Sequence, residues 1–163
     1  PRQFPEKLIP LMIERARSGK TLPIYGNGEN IREWMYVTDH ARALLAIVQK
    51  GRAGATYNIG TGDEVSNIKL VRALCTLMDS ACPGLFPFDQ AISFVADRPG
   101  HDFRYSMDSR QSAKELGFKP AVRLIDGLHK TLSWYLENDK WLDSVRKGQY
   151  PEWMKRYEEK DAH

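Results

Sequence analysis

The densest group of side chains able to hold an anion lies between Asp97 and Asp108, in the stretch DRPGHDFRYSMD. It carries Arg98, Arg104 and His101 together with Asp97, Asp102 and Asp108, set around Pro99-Gly100. A Pro-Gly pair favours a tight reversal, because proline presets φ and glycine accepts positive φ. Side chains flanking such a reversal converge on one point. Arginine offers a planar fork of donors matched to phosphate oxygens, and histidine adds a donor near neutral pH. The stretch Asp97–Asp108, with Arg98, Arg104 and His101 around the Pro99-Gly100 turn, therefore reads as a diphosphate clamp. The same residues also suit a solvated polar loop, in which exposed ion pairs contribute little.

Further cations, Lys7 and Arg32, accompany the aromatics Tyr25, Trp34, Tyr36 and Tyr105, a combination suited to a ligand with phosphates and a flat ring. Each has a plainer reading: Lys7 on a helix surface, the aromatics as cross-strand pairs, Asn67 as a helix cap. Gly26-x-Gly28 and Gly60-x-Gly62 do not continue as a dinucleotide fingerprint opening a helix, and read better as hairpin and strand-end turns. His40, His101, His129 and His163 show no metal-ligand spacing with one another or with the cysteines, so no metal site is expected. There is no nucleophile elbow and no Tyr-x-x-x-Lys pair. No catalytic residue is assigned, and the chemistry that accumulates is binding chemistry.

The elements that must position these groups follow from periodicity. Helices are expected over Phe4–Ser18, with Pro10 forcing a kink or a late start, and from Asp39 to Lys50 with Ala41, Leu44, Leu45, Ile47 and Val48 on the buried side. Leu22–Tyr25 and Ile31–Val37 read as a hairpin, and Thr56–Ile59 as a strand. A helix opening at Ser66 or Asn67 buries Leu70, Val71, Leu74, Leu77 and Met78. Ile92–Val95 is a strand, Asp108 with Gln111 forms a capping-box pattern for a short helix ending at Gly117, and Leu124–Asn138 is the clearest amphipathic helix. Asp139–Lys147 is helical, and Pro151 starts a last helix. The result is a mixed α/β unit of helices and short, scattered strands, without the regular alternation of a complete doubly wound sheet.

At 163 residues the chain fits one domain with a real core. A net charge of +3 with Lys and Arg spread throughout excludes the concentrated basic face of a nucleic-acid binder. Cys75 and Cys82, read as seven apart on one helix, stand about 10 Å apart and do not bridge. Unpaired cysteines favour a reducing, cytoplasmic setting. No apolar run spans a bilayer and no leader pattern opens the chain, so no membrane is expected as a partner. The opening at Pro1 without methionine is expected of an excerpt or of a chain whose tag has been removed.

The segments PEKLIPLMI, GKTLPIYGNGENIREWMYVTDHARAL, GATYNIGTGDEVSNI, FVADRPGHDFRYSMD, KELGFKP and TLSWYLEN closely resemble the C-terminal half of dTDP-glucose 4,6-dehydratases, members of the extended short-chain dehydrogenase/reductase family. DRPGHD-x-RY with WYL-x-N is the sharpest part; PIYG-x-G and YV-x-D are shared with sugar-nucleotide epimerases and decarboxylases. The likeness weakens after about Asp139. The resemblance implies a substrate-binding part (residues 1–163) lacking most of the NAD-binding Rossmann core, with residues 39–60 packing against that core. It implies a reaction that oxidises the sugar at C4, removes water across C5 and C6 and reduces C6, giving a 4-keto-6-deoxy sugar, with NAD as cofactor of the full-length homodimeric enzyme and none on this chain alone. The glycine fingerprint, the Tyr-x-x-x-Lys pair and the Asp-Glu acid/base pair of such enzymes lie upstream of this segment. It further implies that Lys7 and Leu8 border the dTDP-sugar pocket, that Pro23, Ile24 and Tyr25 line its nucleoside side, and that Arg32 with Arg98 holds the diphosphate. Asn67 and the loop Asp97–His101 complete it, with Tyr157 as a late contact. A UDP-sugar epimerase or decarboxylase, or a binding module without catalysis, is the alternative.

Overall fold

The computed structural model describes residue 3 and residues 6–83 and 87–147. The Pro151 helix and Tyr157 lie outside the described residues. In chain order the elements are α1 (Leu8–Arg17), β1 (Leu22–Tyr25), β2 (Ile31–Glu33), α2 (Val37–Lys50), β3 (Glu64–Ser66), α3 (Asn67–Ala81), a 3-10 turn (Phe88–Ala91), β4 (Ile92–Val95), α4 (Arg110–Leu116), α5 (Leu124–Glu137) and α6 (Asp139–Lys147).

Proline decides where α1 begins. With Lys7 as N-cap, Pro10 occupies the first turn, where its missing N–H breaks no intrahelical bond. The helix therefore takes the late start and runs from Leu8. Its buried face, Leu11, Met12, Ile13 and Ala16, meets Val71, Leu74, Cys75 and Met78 of α3 and Leu132 and Tyr135 of α5 in the main core. Burying each of these large side chains contributes about 1.5–3 kcal/mol. α3 presents the face expected of it, apart from Leu77, which is only partly buried. Cys82 is the C-cap of α3 and, like Cys75, is a free thiol.

The expected hairpin does not form. β1 pairs in parallel with β4, with Leu22 opposite Ile92 and Tyr25 opposite Val95, while β2 pairs antiparallel with β3. The Gly26–Gly28 turn instead wedges against α3. Gly28 has φ +74°, and a Cβ there would lie 2.7 Å from Ile24 and 2.9 Å from Ile68. Its carbonyl accepts the Ile68 N–H at 2.9 Å. β2 ends at Glu33 rather than Val37, and after the extended Tyr36 N-cap Val37 already opens α2.

Two further readings are corrected. Thr56–Ile59 is not a strand; no partner pairs with it among the described residues, and Ser112 Oγ donates to the Asn58 carbonyl. In α2 only Asp39 and Ala43 are buried, whereas Leu44, Leu45 and Val48 are exposed, Val48 by 83%. The described part of the chain offers this helix only a small second cluster, Ala43 with Leu116 and Phe118 and, around them, Ile47, Tyr57 and Ile59. Ile125 of α5 is also exposed, while Leu128, Leu132 and Tyr135 carry that helix's buried face. The capping box at Asp108 is incomplete: Asp108 accepts the Arg110 N–H at 3.1 Å, but Ser109 is the N-cap and Gln111 donates to Glu115. Gly117 ends α4 with φ +66°.

Candidate functional site

The C-terminal ends of the parallel strands β1 and β4 lead directly into two loops that meet. β1 delivers Tyr25 to the Gly26 turn; β4 delivers Asp97 and Arg98 to the Pro99-Gly100 turn. The second is the reversal expected from sequence: the His101 N–H donates to the Arg98 carbonyl at 3.1 Å, and Gly100 takes φ +69°, as the third residue of a type II turn requires. Pro99 and Gly100 thus bring Arg98 and His101 together without lining the site themselves.

Between these loops, α1 and β2 lies a cavity of about 490 Å³. Its walls include nine residues expected from sequence: Lys7, Leu8, Pro23, Ile24, Tyr25, Arg32, Asn67, Arg98 and His101. The volume lies within the range of small-molecule sites. Leu8, Ile9, Leu11 and Met12 of α1 with Pro23 and Ile24 form an apolar side, and Arg32, Arg98, His101 and Lys7 supply cationic or donor groups.

Asp97 is absent from the lining because it acts behind it. Its carboxylate accepts the Arg98 N–H at 2.8 Å, meets His101 Nδ1 at 2.6 Å and lies against Gly26, where a Cβ would stand 3.0 Å from Oδ2. The His101 hydrogen bond holds the Asp97 carboxyl below its usual range. The His101 side chain is 6% exposed and sits edge-on to the Tyr25 ring.

Among the described residues no carboxylate hydrogen-bonds the guanidinium of either arginine. Arg98 lies over the Tyr25 ring, 5.0 Å from its centre. Arg32 donates to the carbonyls of Ile31 at 2.7 Å and Asp102 at 2.8 Å, and lies 4.6 Å from the centre of the Tyr105 ring. Carbonyls and ring faces orient a guanidinium without a carboxylate bonded to it, although the Asp97 carboxylate acts on Arg98 through space. Lys7, by contrast, pairs with Glu6 at 2.7 Å.

Asn67 is not a cap. It is the first residue of α3, after the Ser66 N-cap, and its N–H donates to the Asn30 carbonyl at 3.0 Å. Its side chain is therefore available to the cavity it lines.

Sequence reasoning missed Gln3, Glu6, Ile9, Leu11, Met12 and Glu33 as lining residues, and of the aromatics it set beside the cations Trp34 joins Tyr25 in the lining of this cavity. Trp34 had a readable signal, standing two residues from Arg32 on an extended run. Its indole N–H is buried with no hydrogen-bond partner among the described residues. Among those residues no group of His, Cys, Asp and Glu is arranged to hold a metal, and no helix is long and apolar enough to cross a membrane.

The described residues do not fit NAD. A dinucleotide site needs a glycine turn opening a helix after a strand, leaving backbone open to pyrophosphate. Here the turn after β1 leads to β2, and the space above Gly28 is filled by Ile24 and Ile68.

Comparison with known proteins agrees with the geometry. The chain is 49% identical over 156 residues to dTDP-glucose 4,6-dehydratase 1 of Escherichia coli K12, covering 96% of this chain and 43% of that protein. It superposes on the dTDP-glucose 4,6-dehydratase of Bacillus anthracis, solved in complex with NAD, with a TM-score of 0.80 and 39% identity, covering 89% of this chain and 44% of that one. For the dTDP-glucose 4,6-dehydratase of Streptomyces venezuelae, solved with NAD and TYD bound, the TM-score is 0.78 and the identity 41%, covering 89% and 43%. The chain thus spans less than half the length of these relatives, and its mixed α/β fold matches their C-terminal part. The family model described as GDP-mannose 4,6 dehydratase matches residues 1–131, which include both strand ends and the Arg98–His101 turn around the cavity. With the family model, sequence and fold in agreement, the chain belongs to that dehydratase family.

Proposed function

We propose that this chain is the substrate-holding part of a dTDP-glucose 4,6-dehydratase, which converts dTDP-glucose to dTDP-4-keto-6-deoxyglucose. The observation that carries this reading is the pair Arg32 and Arg98, set in one cavity with guanidinium groups that hydrogen-bond no carboxylate among the described residues. They would grip the diphosphate, with His101 and Asn67 as additional donors. Tyr25, Pro23, Ile24 and Leu8 would take the nucleoside, and Lys7 would border the pocket. Asp97 and the Pro99-Gly100 turn would fix the clamp's shape; Tyr157 completes the proposed contacts. Anchoring the nucleoside diphosphate supplies the binding energy and orientation that hold a sugar against reacting groups.

Those reacting groups and the NAD site belong, in this reading, to a preceding nucleotide-binding part, against which residues 39–60 pack. The exposed Leu44, Leu45 and Val48, and Thr56–Ile59 with no strand partner among the described residues, support that role for the segment. Alone, the chain is proposed to bind without dehydrating. Free Cys75 and Cys82 support a reducing, cytoplasmic setting, and the complete enzyme is proposed as a homodimer on the family resemblance.

Amide chemical-shift mapping tests the site. Addition of dTDP should move the signals of Tyr25, Arg32, Asn67, Arg98 and His101 together. Saturable shifts centred elsewhere would contradict it.

A further inference from the structure

Arg32 is fixed by main-chain carbonyls, so its position is only as firm as the segment that carries them. Two of its acceptors, the carbonyls of Asp102 and Phe103, lie on the stretch 102–107, which joins the β2–β3 ribbon through one isolated main-chain bridge at Ile31 and Arg104 and, at its far end, through the Met107 N–H, which donates to the Glu33 carboxylate at 2.9 Å. At the bridge the Ile31 N–H donates to the Phe103 carbonyl at 2.7 Å, and the Tyr105 N–H to the Ile31 carbonyl at 3.1 Å. These main-chain hydrogen bonds are a weak attachment for a segment with Phe103, Tyr105 and Met107 exposed.

Side chains strengthen it. Glu64 of β3 accepts Arg104 Nε at 2.7 Å and Nη2 at 2.6 Å, a two-point fork, and accepts the Ser106 hydroxyl at 2.6 Å. These partners hold the Glu64 carboxyl down to about 2. Alternate residues of the stretch, Arg104 and Ser106, thus face one carboxylate, while Tyr105 between them lies under the Arg32 guanidinium. Glu64 does not line the cavity.

We propose that Glu64 is a positioning residue for Arg32: by clamping Arg104 and Ser106 it holds the Asp102 and Phe103 carbonyls and the Tyr105 ring where they aim the Arg32 guanidinium into the cavity. The inference rests on the nucleotide-binding reading above. Losing the fork frees the stretch, and Arg32 then spends part of its time away from the diphosphate.

A double-mutant cycle on dTDP affinity tests it, because coupling reports action through a partner whereas general loosening does not. Glu64→Gln should weaken dTDP binding about tenfold in the otherwise unchanged chain, the scale of one charge-assisted hydrogen bond. In an Arg32→Ala background the same change should weaken it less than about twofold. Equal weakening in both backgrounds, or none in either, overturns the proposal. Arg104→Lys, which keeps the charge but loses the fork, should reproduce the pattern and serves if Glu64→Gln does not fold. If the unsubstituted chain fails to bind dTDP, the nucleotide-binding reading falls, and this proposal with it.

Discussion

Arg98 stacks on Tyr25, its guanidinium carbon 5.0 Å from the ring centre, although the two residues come from loops after different strands. The parallel pairing of β1 with β4 sets that distance, since Tyr25 and Val95 are register partners and Arg98 follows three residues later. Arg98→Ala should therefore weaken dTDP binding by about 10- to 100-fold, the worth of a hydrogen bond to a charged group. Because Arg98 is exposed, its guanidinium hydrogen-bonds no carboxylate among the described residues, and Arg98→Ala keeps the main-chain N–H that donates to Asp97, the melting temperature should hardly move. Arg98→Lys, losing the planar stack, should fall between. Calorimetric titration of the three proteins measures this; unchanged affinity in Arg98→Ala would remove the clamp.

Asp39 joins the start of α2 to the chain before α5. Its buried carboxylate accepts the N–H groups of Ala121 at 2.8 Å and Val122 at 2.9 Å, and Arg42 at 2.8 Å. Burial pushes its pKa up, but these hydrogen bonds outweigh it and the net shift is downward. A carboxyl lowered by folding stabilises the protein fully above its unfolded value near 4, and the contribution fades as pH falls through the folded value. Asp39→Ala should cost about 1–3 kcal/mol at neutral pH by leaving the two N–H groups unsatisfied. Urea unfolding at pH 7 and below pH 3 should show the gap between Asp39→Asn and the unsubstituted chain closing at the acid end. A gap that stays constant would contradict the assignment.

Gly28 sits where a side chain has neither a permitted φ nor space. Gly28→Ala should destabilise by about 2–4 kcal/mol, combining the left-handed conformation with overpacking against Ile24 and Ile68. A loss below about 0.5 kcal/mol in denaturant unfolding would mean that the turn yields freely.

The outer face of α2 gives a prediction about association. With Leu44, Leu45 and Val48 exposed on one helix, the 163-residue chain should self-associate as its concentration rises. Leu45→Lys with Val48→Glu should suppress this. Light scattering across a concentration series decides, and a monomer at every concentration without the substitutions would count against an interface there.

How much of this was legible beforehand depends on the distance between interacting residues. The Pro99-Gly100 reversal is local, and its residues specify it; so are the periodic faces of α1, α3 and α5. Strand partners are not local. Leu22–Tyr25 alternates in a way that suits any neighbour, and the partner it finds lies beyond two helices. Single carboxylates carry even less signal. Asp39 resembles an ordinary N-terminal residue of a helix until residues 121 and 122 fold onto it, and Glu64 resembles a solvated charge until Arg104 arrives. In α2 the apolar residues were legible and their burial was not, because burial depends on what packs against them.

The most direct measurement is calorimetric titration of the chain with dTDP, and then with UDP in the same buffer. The account predicts saturable dTDP binding that is tighter than UDP binding and is lost in Arg32→Ala/Arg98→Ala. A folded chain that binds neither nucleotide, or a double variant that binds dTDP undiminished, would contradict it.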